Sequence, residues 1–268
     1  MNFTKKFEKE CWKWFGDNPV IGHFFNTFSL IIPRGEQFFM QAVSFYAKKL
    51  PEYHPTKEEV KTFMMQEGAH SALHQRLNKV IGEKYPFTKS FDEKYVSMLP
   101  FWVNRSMKHM LSCTLCLEFL TYIFARLILG RNLLKDAHPS VREFWCWHAV
   151  EEIEHKSMVH NLYKIINLSY IRRCLTMIWI LIPLLYLLWW GMRRFAEHQG
   201  LSRKETWRGA IRFFFLEEKF ILFFTLDLIT FFSPNFHPDY RDDSDVLPND
   251  SSVTNTGKPI EGDLDISA

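Results

Sequence analysis

The stretch of residues 145–155 concentrates more side chains capable of chemistry than any other part of the sequence. On a helix, residues three and four positions apart share a face, so His148, Glu152 and His155 line one side. Carboxylates and imidazoles on one buried face are costly unless they are paired or bind a metal ion. Glu152 and His155 form Glu-x-x-His, a spacing found in di-metal four-helix bundles. The stretch therefore indicates metal binding, provided that the chain supplies further ligands.

A second Glu-x-x-His motif, formed by Glu67 and His70, lies earlier in the chain. A single glutamate precedes each motif, Glu36 by 31 residues and Glu118 by 34 residues. At about 1.5 Å per residue, two antiparallel helical hairpins would place all four glutamates at nearly the same level. One Glu on each of two helices plus Glu-x-x-His on each of the others is the ligand set of ferritin-like bundles.

The repeat predicts two divalent transition-metal ions held in one site. Two neighbouring cations need negative charge and bridging oxygens, which carboxylates supply, and imidazole favours a transition metal over magnesium or calcium. Carboxylate-rich ligation favours iron, with manganese or zinc as alternatives. Glu67 and Glu152 are the predicted bridging ligands. The full predicted ligand set is Glu36, Glu67, His70, Glu118, Glu152 and His155.

Three further residues lie beside this set. His74 is one turn after His70, and His148 is one turn before Glu152. Each is interpreted as an additional ligand, a hydrogen-bond support for a ligand, or a core histidine. Glu151 is interpreted as a support or an alternative ligand.

The elements that must position these residues are helices, and the sequence predicts an all-α protein. Pro33 suits the first turn of a helix, the segment 56–59 is a capping box, and Gly82 and Gly130 end helices. We expect a ferritin-like four-helix bundle over residues 33–170, with additional apolar C-terminal helices. The other predicted regions are an N-terminal arm at 1–32, apolar and membrane-associated helices at 171–236, and a disordered acidic tail at 237–268.

Length and composition exclude several classes of protein. A net charge of +3 over 268 residues argues against a nucleic-acid partner. Five cysteines without framework spacing suit a reducing compartment. The first ten residues lack the apolar segment of a signal peptide, so we expect the N-terminal domain to stay in the cytoplasm. The oligomeric state cannot be read from these features.

The segment 174–192 is uncharged and is flanked by Arg172-Arg173 and Arg193-Arg194. Nineteen apolar residues just suffice to span a bilayer, and Trp189-Trp190 suits a membrane interface. The alternative is a buried fifth helix. The segment 213–232 is interrupted by charges and is interpreted as an interfacial or a covering amphipathic helix. The expected location is the cytoplasmic face of the inner membrane, with the cytoplasm as the alternative.

Three motifs of the sequence are similar to those of one bacterial family, the predicted metal-dependent hydrolases. The resemblance covers roughly residues 20–240 and includes the C-terminal Phe236-His237-Pro238. It implies a metal-binding, ferritin-like helical domain, and the family description implies hydrolysis. The motifs are Pro33-x-Gly35-Glu36-x-Phe38-Phe39, Gln66-Glu67-Gly68-x-His70-x-x-x-His74 and Trp147-His148-x-x-Glu151-Glu152-x-Glu154-His155.

Three functions fit these observations. The first is a membrane-associated di-iron enzyme that uses O₂ to oxidise a hydrophobic small molecule or lipid. The second is a hydrolase in which the same metals activate water. The third is non-catalytic metal binding. The substrate and the catalytic residues are not identifiable from the sequence.

Overall fold

The structure is a computed structural model that describes residues 7, 10–103 and 105–247. The described residues form helices and no strand, apart from an isolated bridge between Trp14 and Ala137. The all-α prediction is therefore confirmed. The helices are α1 (Pro19–Ala47), α2 (Thr56–Lys84), α3 (Thr88–Trp102), α4 (Met107–Arg131), α5 (Pro139–His155), α6 (Met158–Ile165), α7 (Tyr170–His198), α8 (Arg203–Ile211) and α9 (Phe220–Thr230), with a π-helical segment at Arg212–Glu217.

Two helical pairs, α1 with α2 and α4 with α5, form the bundle that carries the predicted ligands. α1 also packs on α4, which joins the two pairs. Within α4, seventeen residues are buried, and they include the stretch from Met110 to Cys116. This apolar surface stabilises the bundle because its burial removes it from water.

The sequence predicted that Pro33 begins a helix, and this prediction is wrong. Pro33 lies in the middle of α1. Proline lacks the N–H group that would bond the carbonyl four residues earlier, which here belongs to Ser29. That carbonyl instead accepts a 2.8 Å hydrogen bond from Nδ2 of Asn78 on α2. Residues 19–32, assigned by sequence to an N-terminal arm, therefore continue the helix that carries Glu36.

The sequence also predicts a short amphipathic helix at 7–15, a loop with a short helix at 83–100, and one helix from 140 to about 168, and the structure differs from each prediction. The segment 83–100 contains most of α3, a helix of 15 residues. The predicted fourth helix over 140–168 is divided into α5 and α6 by a turn at residues 156–157. The short helix expected at 7–15 is absent from the described part of that segment, where residues 10–12 form a turn.

Two helices, α4 and α7, are long and apolar enough to cross a membrane by length and composition. The most apolar window of α4 is 78% buried inside the protein, whereas that of α7 is 33% buried. α7 packs along α1 and α4 on one side. Gly191 makes this approach close, since a Cβ atom there would overlap the side chain of Thr27 on α1.

Residues 237–247 pack on the bundle, although the sequence predicted disorder from residue 237 onward. The buried side chain of Asp243 forms ion pairs with Arg126 and Lys156 and accepts a hydrogen bond from Tyr122. These pairs account for the order, because Arg126 is itself buried and needs a partner of opposite charge. Residues 248–268 of the predicted tail lie outside the described residues.

Candidate metal centre

All six predicted ligands lie in the interior of the bundle. α1 contributes Glu36, α4 contributes Glu118, and α2 and α5 each contribute a Glu-x-x-His pair. None of the six residues is more than 5% exposed. Helical spacing explains the inward direction, since Glu and His three residues apart share one face of α2 and of α5.

The ligand atoms of these side chains converge. Several groups of three residues offer one nitrogen or oxygen atom each, with all atoms of a group within 4.8 Å of one another. Glu36, Glu67 and Glu152 each belong to two of the groups, so the predicted bridging role of Glu67 and Glu152 stays a prediction. Glu118 is buried beside them but belongs to none of these groups. The groups are Glu36–Glu67–His70, Glu67–Glu152–His155, His70–His148–Glu152 and Glu36–His74–His148.

Most polar atoms that face the cluster have no hydrogen-bond partner among the described residues. These atoms are both carboxylate oxygens of Glu36, Glu67 and Glu118, and Nδ1 of His70 and His155. A buried polar group without a partner costs about 1–3 kcal/mol, and more when it is charged. Bound cations would provide these atoms with partners of opposite charge, so the donor set fits a metal centre.

When His70 loses its second proton, as a metal ligand must, its ring presents a lone pair to the cluster. Its Nε2 lies 2.9 Å from Oε2 of Glu151 and donates to it. In a neutral ring the other nitrogen, Nδ1, is then an acceptor, and it lies 3.7 Å from Oε1 of both Glu67 and Glu152. Glu151 therefore acts as a support for His70 in the carboxylate–histidine–metal arrangement common in metalloproteins.

His155 has the same arrangement with a different partner. Its Nε2 lies 2.8 Å from Oε1 of Gln66, whose Nε2 donates to Glu154. The second contact fixes the orientation of the Gln66 amide, so its oxygen accepts from His155. Nδ1 of His155 faces Oε1 of Glu67, 3.0 Å away, and in a neutral ring this nitrogen would offer its lone pair to a metal ion.

A chain of hydrogen bonds sets the orientation of His148. Asn78 donates its amide N–H to the Ser29 carbonyl, so Oδ1 of Asn78 accepts from the Ser29 hydroxyl. The Ser29 oxygen can then only accept, from Nδ1 of His74 at 2.9 Å. Burial lowers the pKa of His74 well below its usual range, so its Nε2 accepts from Nδ1 of His148, also at 2.9 Å.

At the end of this series of hydrogen bonds, two acceptor atoms face each other. Burial and the charge of His70 lower the pKa of His148, whose neutral ring already uses its single proton toward His74. Its Nε2 lone pair lies 2.8 Å from Oε1 of Glu152. A cation beside both atoms removes their repulsion. The geometry thus favours His148 as a third imidazole donor and His74 as its support.

Burial and neighbouring charges shift the pKa values of the cluster residues in opposite directions. Burial, reinforced by the charge of Glu67, raises the pKa of Glu36 and of Glu118 well above the usual range. Burial also disfavours ionised Glu67, but the adjacent imidazoles of His155 and His70 lower its pKa to about 2. Although burial favours a neutral His70, its carboxylate neighbours raise its pKa well above normal. A divalent cation would therefore compete with protons for this site.

Sequence reasoning missed four side chains that support the cluster: Ser29, Gln66, Asn78 and Thr121. The Thr121 hydroxyl donates to Oε2 of Glu152. Helical spacing could have indicated Thr121, one turn after Glu118, and Asn78, one turn after His74. Ser29 carries no such signal, because only the packing of α1 on α2 brings it to His74.

Comparisons with known proteins agree with a metal-binding role. Neither a curated protein nor a solved structure matches the chain. A family model described as predicted metal-dependent hydrolase matches residues 2–242, which is nearly the whole chain. This chain therefore belongs to the family of predicted metal-dependent hydrolases.

Proposed function

We propose that this protein is a hydrolase whose buried Glu/His cluster binds two divalent transition-metal ions. The observation that carries the proposal is the shared orientation of His70, His148 and His155. Each of these rings donates its outer N–H to another side chain and directs its other nitrogen toward carboxylates of the cluster. Family membership supports hydrolysis as the reaction.

Charge balance supports two ions. The four cluster glutamates, each provided by a separate helix, would carry four negative charges when ionised. Two divalent cations neutralise that charge, whereas a single one leaves two uncompensated charges in the interior. Seven donor side chains also exceed the four that a single tetrahedral zinc site uses. Iron, manganese and zinc all accept this combination of carboxylate and imidazole.

The side chains have separable roles in this proposal. Bound metal ions would supply Lewis acidity and lower the pKa of a water molecule to near neutrality. Glu36, Glu67, Glu118 and Glu152 hold the ions, and the three imidazoles complete their coordination. The Thr121 hydroxyl holds one oxygen of Glu152, and apolar residues of α1, α4 and α7 exclude bulk water.

Hydrolysis replaces oxidation as the preferred function. The sequence favoured an O₂-dependent di-iron oxidation, which nothing in the family description supports. Water activation was the alternative, and the family match agrees with it.

We propose that the protein contacts a lipid bilayer through one face of α7 and α9. Five residues of α7 spaced four and three apart are each more than half exposed, and three residues of α9 continue this pattern. The opposite side of α7 packs on α1 and α4, so the outer face alone is available to lipid. The exposed residues are Ile171, Leu175, Ile178, Ile182 and Leu185 on α7, and Leu222, Leu226 and Ile229 on α9.

The hydrolase proposal is tested by loading metal-free protein separately with Fe(II), Mn(II) and Zn(II). Metal content is measured, and the release of acid is followed with a panel of esters, amides and phosphoesters. We expect two ions per chain and turnover that a chelator abolishes. Glu67→Gln removes a shared ligand and should reduce both quantities, whereas Glu59→Gln, exposed on the same helix, should change neither. Two bound ions without hydrolysis of any substrate class would leave a metal-binding protein and refute the proposed reaction.

A further inference from the structure

A small cavity adjoins the candidate metal centre and extends between α1, α3, α4 and α7. Its volume is about 80 Å³, several times the roughly 10–15 Å³ that a single water molecule requires. Most of the wall is apolar, as Phe39, Leu120 and Leu187 illustrate. The cavity is therefore too apolar to be a water channel and too large to be a simple packing gap.

Polar side chains occupy only part of the cavity wall. Glu36, His148 and Glu152 of the cluster line it, together with Thr121 and Tyr95. No lysine or arginine is among the described residues that line it. A ligand in this space would thus place an apolar body along the helices and an uncharged polar group at the cluster.

Gly35 gives an independent indication that this space is kept open. It lies inside α1 and lines the cavity beside Glu36. An added Cβ atom would meet only ordinary contacts, 3.8 Å from Cζ of Phe39 and 4.0 Å from the hydroxyl of Tyr95. Glycine inside a helix is less stable than alanine because it loses more backbone entropy on folding, and neither the backbone nor a close neighbour requires it here.

We infer that the cavity binds the unbranched hydrocarbon chain of a neutral ester or amide whose carbonyl group lies at the Glu/His cluster. The inference rests on the proposed hydrolase function. The small volume, about 80 Å³, favours a slender chain over a bulky fused ring system, and the absence of basic residues from the described lining disfavours a phosphoester. In the reaction, the oxygen of water bonds to the carbonyl carbon and the C–O or C–N bond breaks. The leaving alcohol or amine takes the proton that water loses.

The test uses the metal-loaded full chain and p-nitrophenyl esters with acyl chains of two to twelve carbons. Unreactive methyl ketones of matching lengths serve as binding probes, followed by native mass spectrometry. Burial of each methylene should lower KM and the ketone Kd by about threefold, which amounts to roughly several hundredfold from two to eight carbons when all six added methylenes are buried.

Bulky substitutions at the cavity wall test whether the dependence on chain length arises in this cavity. Leu184→Trp and Leu99→Trp change partly exposed residues that line the cavity, so each should remove the advantage that long-chain esters and ketones have over the shortest ones. Leu185→Trp is the matched control, because Leu185 faces outward on the same helix. Circular dichroism confirms that each variant is folded.

The outcomes separate this inference from the proposed function. Ester hydrolysis that does not depend on chain length, or equal effects of Leu184→Trp and Leu185→Trp, would overturn the chain-binding cavity and leave the hydrolase standing. Length-dependent ketone binding without hydrolysis would support the cavity and overturn the hydrolase.

Discussion

Nε2 of His74 lies 2.9 Å from Nδ1 of His148, and this contact decides which nitrogen of His148 faces the carboxylate cluster. His74 is held in turn by Ser29. The two rings that the sequence left with the same set of interpretations therefore have different roles. His148 directs a lone pair toward Glu152, and His74 orients His148 from behind.

Substitution of either ring should weaken metal binding by different amounts. His148→Ala removes a donor atom and should lower the affinity for one of the ions by at least about 100-fold. His74→Phe keeps the His148 ring but no longer holds its orientation. We expect metal affinity to fall by about 10-fold, at the low end of the range for supporting residues. Competition with a chromophoric chelator measures both. The exposed His198→Ala should bind like the wild type, and an unchanged His148→Ala would exclude His148 as a ligand.

Glu118→Gln should stabilise the metal-free protein while it impairs metal binding. The pKa of Glu118 is raised well above its usual value by burial, so its contribution to stability is present below about pH 4.5 and is lost as pH rises toward the folded-state pKa. Glutamine removes that loss, which can reach about 1.4 kcal/mol per pH unit within the window.

Urea unfolding of the metal-free proteins between pH 5 and pH 8 measures the effect of Glu118→Gln. The difference in unfolding free energy should grow with pH. Glu143→Gln, exposed on α5, serves as the control. A constant difference across this range would show that Glu118 ionises normally in the folded protein.

Metal binding should release protons at neutral pH. Glu36, Glu118 and His70 all have raised pKa values in the metal-free protein, and a ligand must lose its proton to bind a metal ion. Affinity should consequently increase from pH 6 to pH 8. Calorimetry in buffers of different ionisation enthalpy counts the protons, and we expect at least about one per chain. Heats that do not depend on the buffer would contradict the electrostatic description of the cluster.

Asn78→Ala should destabilise the protein mainly because Pro33 cannot bond the Ser29 carbonyl. The variant leaves that buried carbonyl without its donor, at a cost of about 1–3 kcal/mol. Pro33→Ala restores a backbone N–H, so the double variant should recover part of the loss. Thermal unfolding of all four proteins in a double-mutant cycle measures the coupling, and strictly additive effects would refute it.

The protein should bind lipid vesicles through the outer face of α7. Replacing Ile178 and Leu185 with glutamate places charges on the exposed stripe and should reduce flotation with liposomes at least about tenfold. Val96→Glu, which adds a charge to an exposed position of α3, should float like the wild type. A stable dimer in solution that does not float would identify a second copy of the chain as the partner of this face.

The helical class and the types of the candidate ligands follow from the sequence alone. Both features are local, because three-residue and four-residue spacings place side chains on one helix face regardless of what packs against it. The repeat of Glu36 with Glu67 and of Glu118 with Glu152 indicated a common level in the bundle, and the structure buries all four residues together. The family match agrees with the metal-dependent function that these residues suggested.

Other features depend on contacts between residues distant in sequence and arise only in the tertiary structure. Pro33 remains inside a helix because Asn78 on α2 bonds the carbonyl that proline leaves unpaired. Asp243 packs on the bundle because Arg126 of α4 and Lys156 of the turn between α5 and α6 contact it with a buried and a partly buried cation. Which nitrogen of His148 faces the carboxylate cluster also depends on Ser29, 119 residues away. Sequence periodicity carries no information on such contacts, since each arises only when two helices pack.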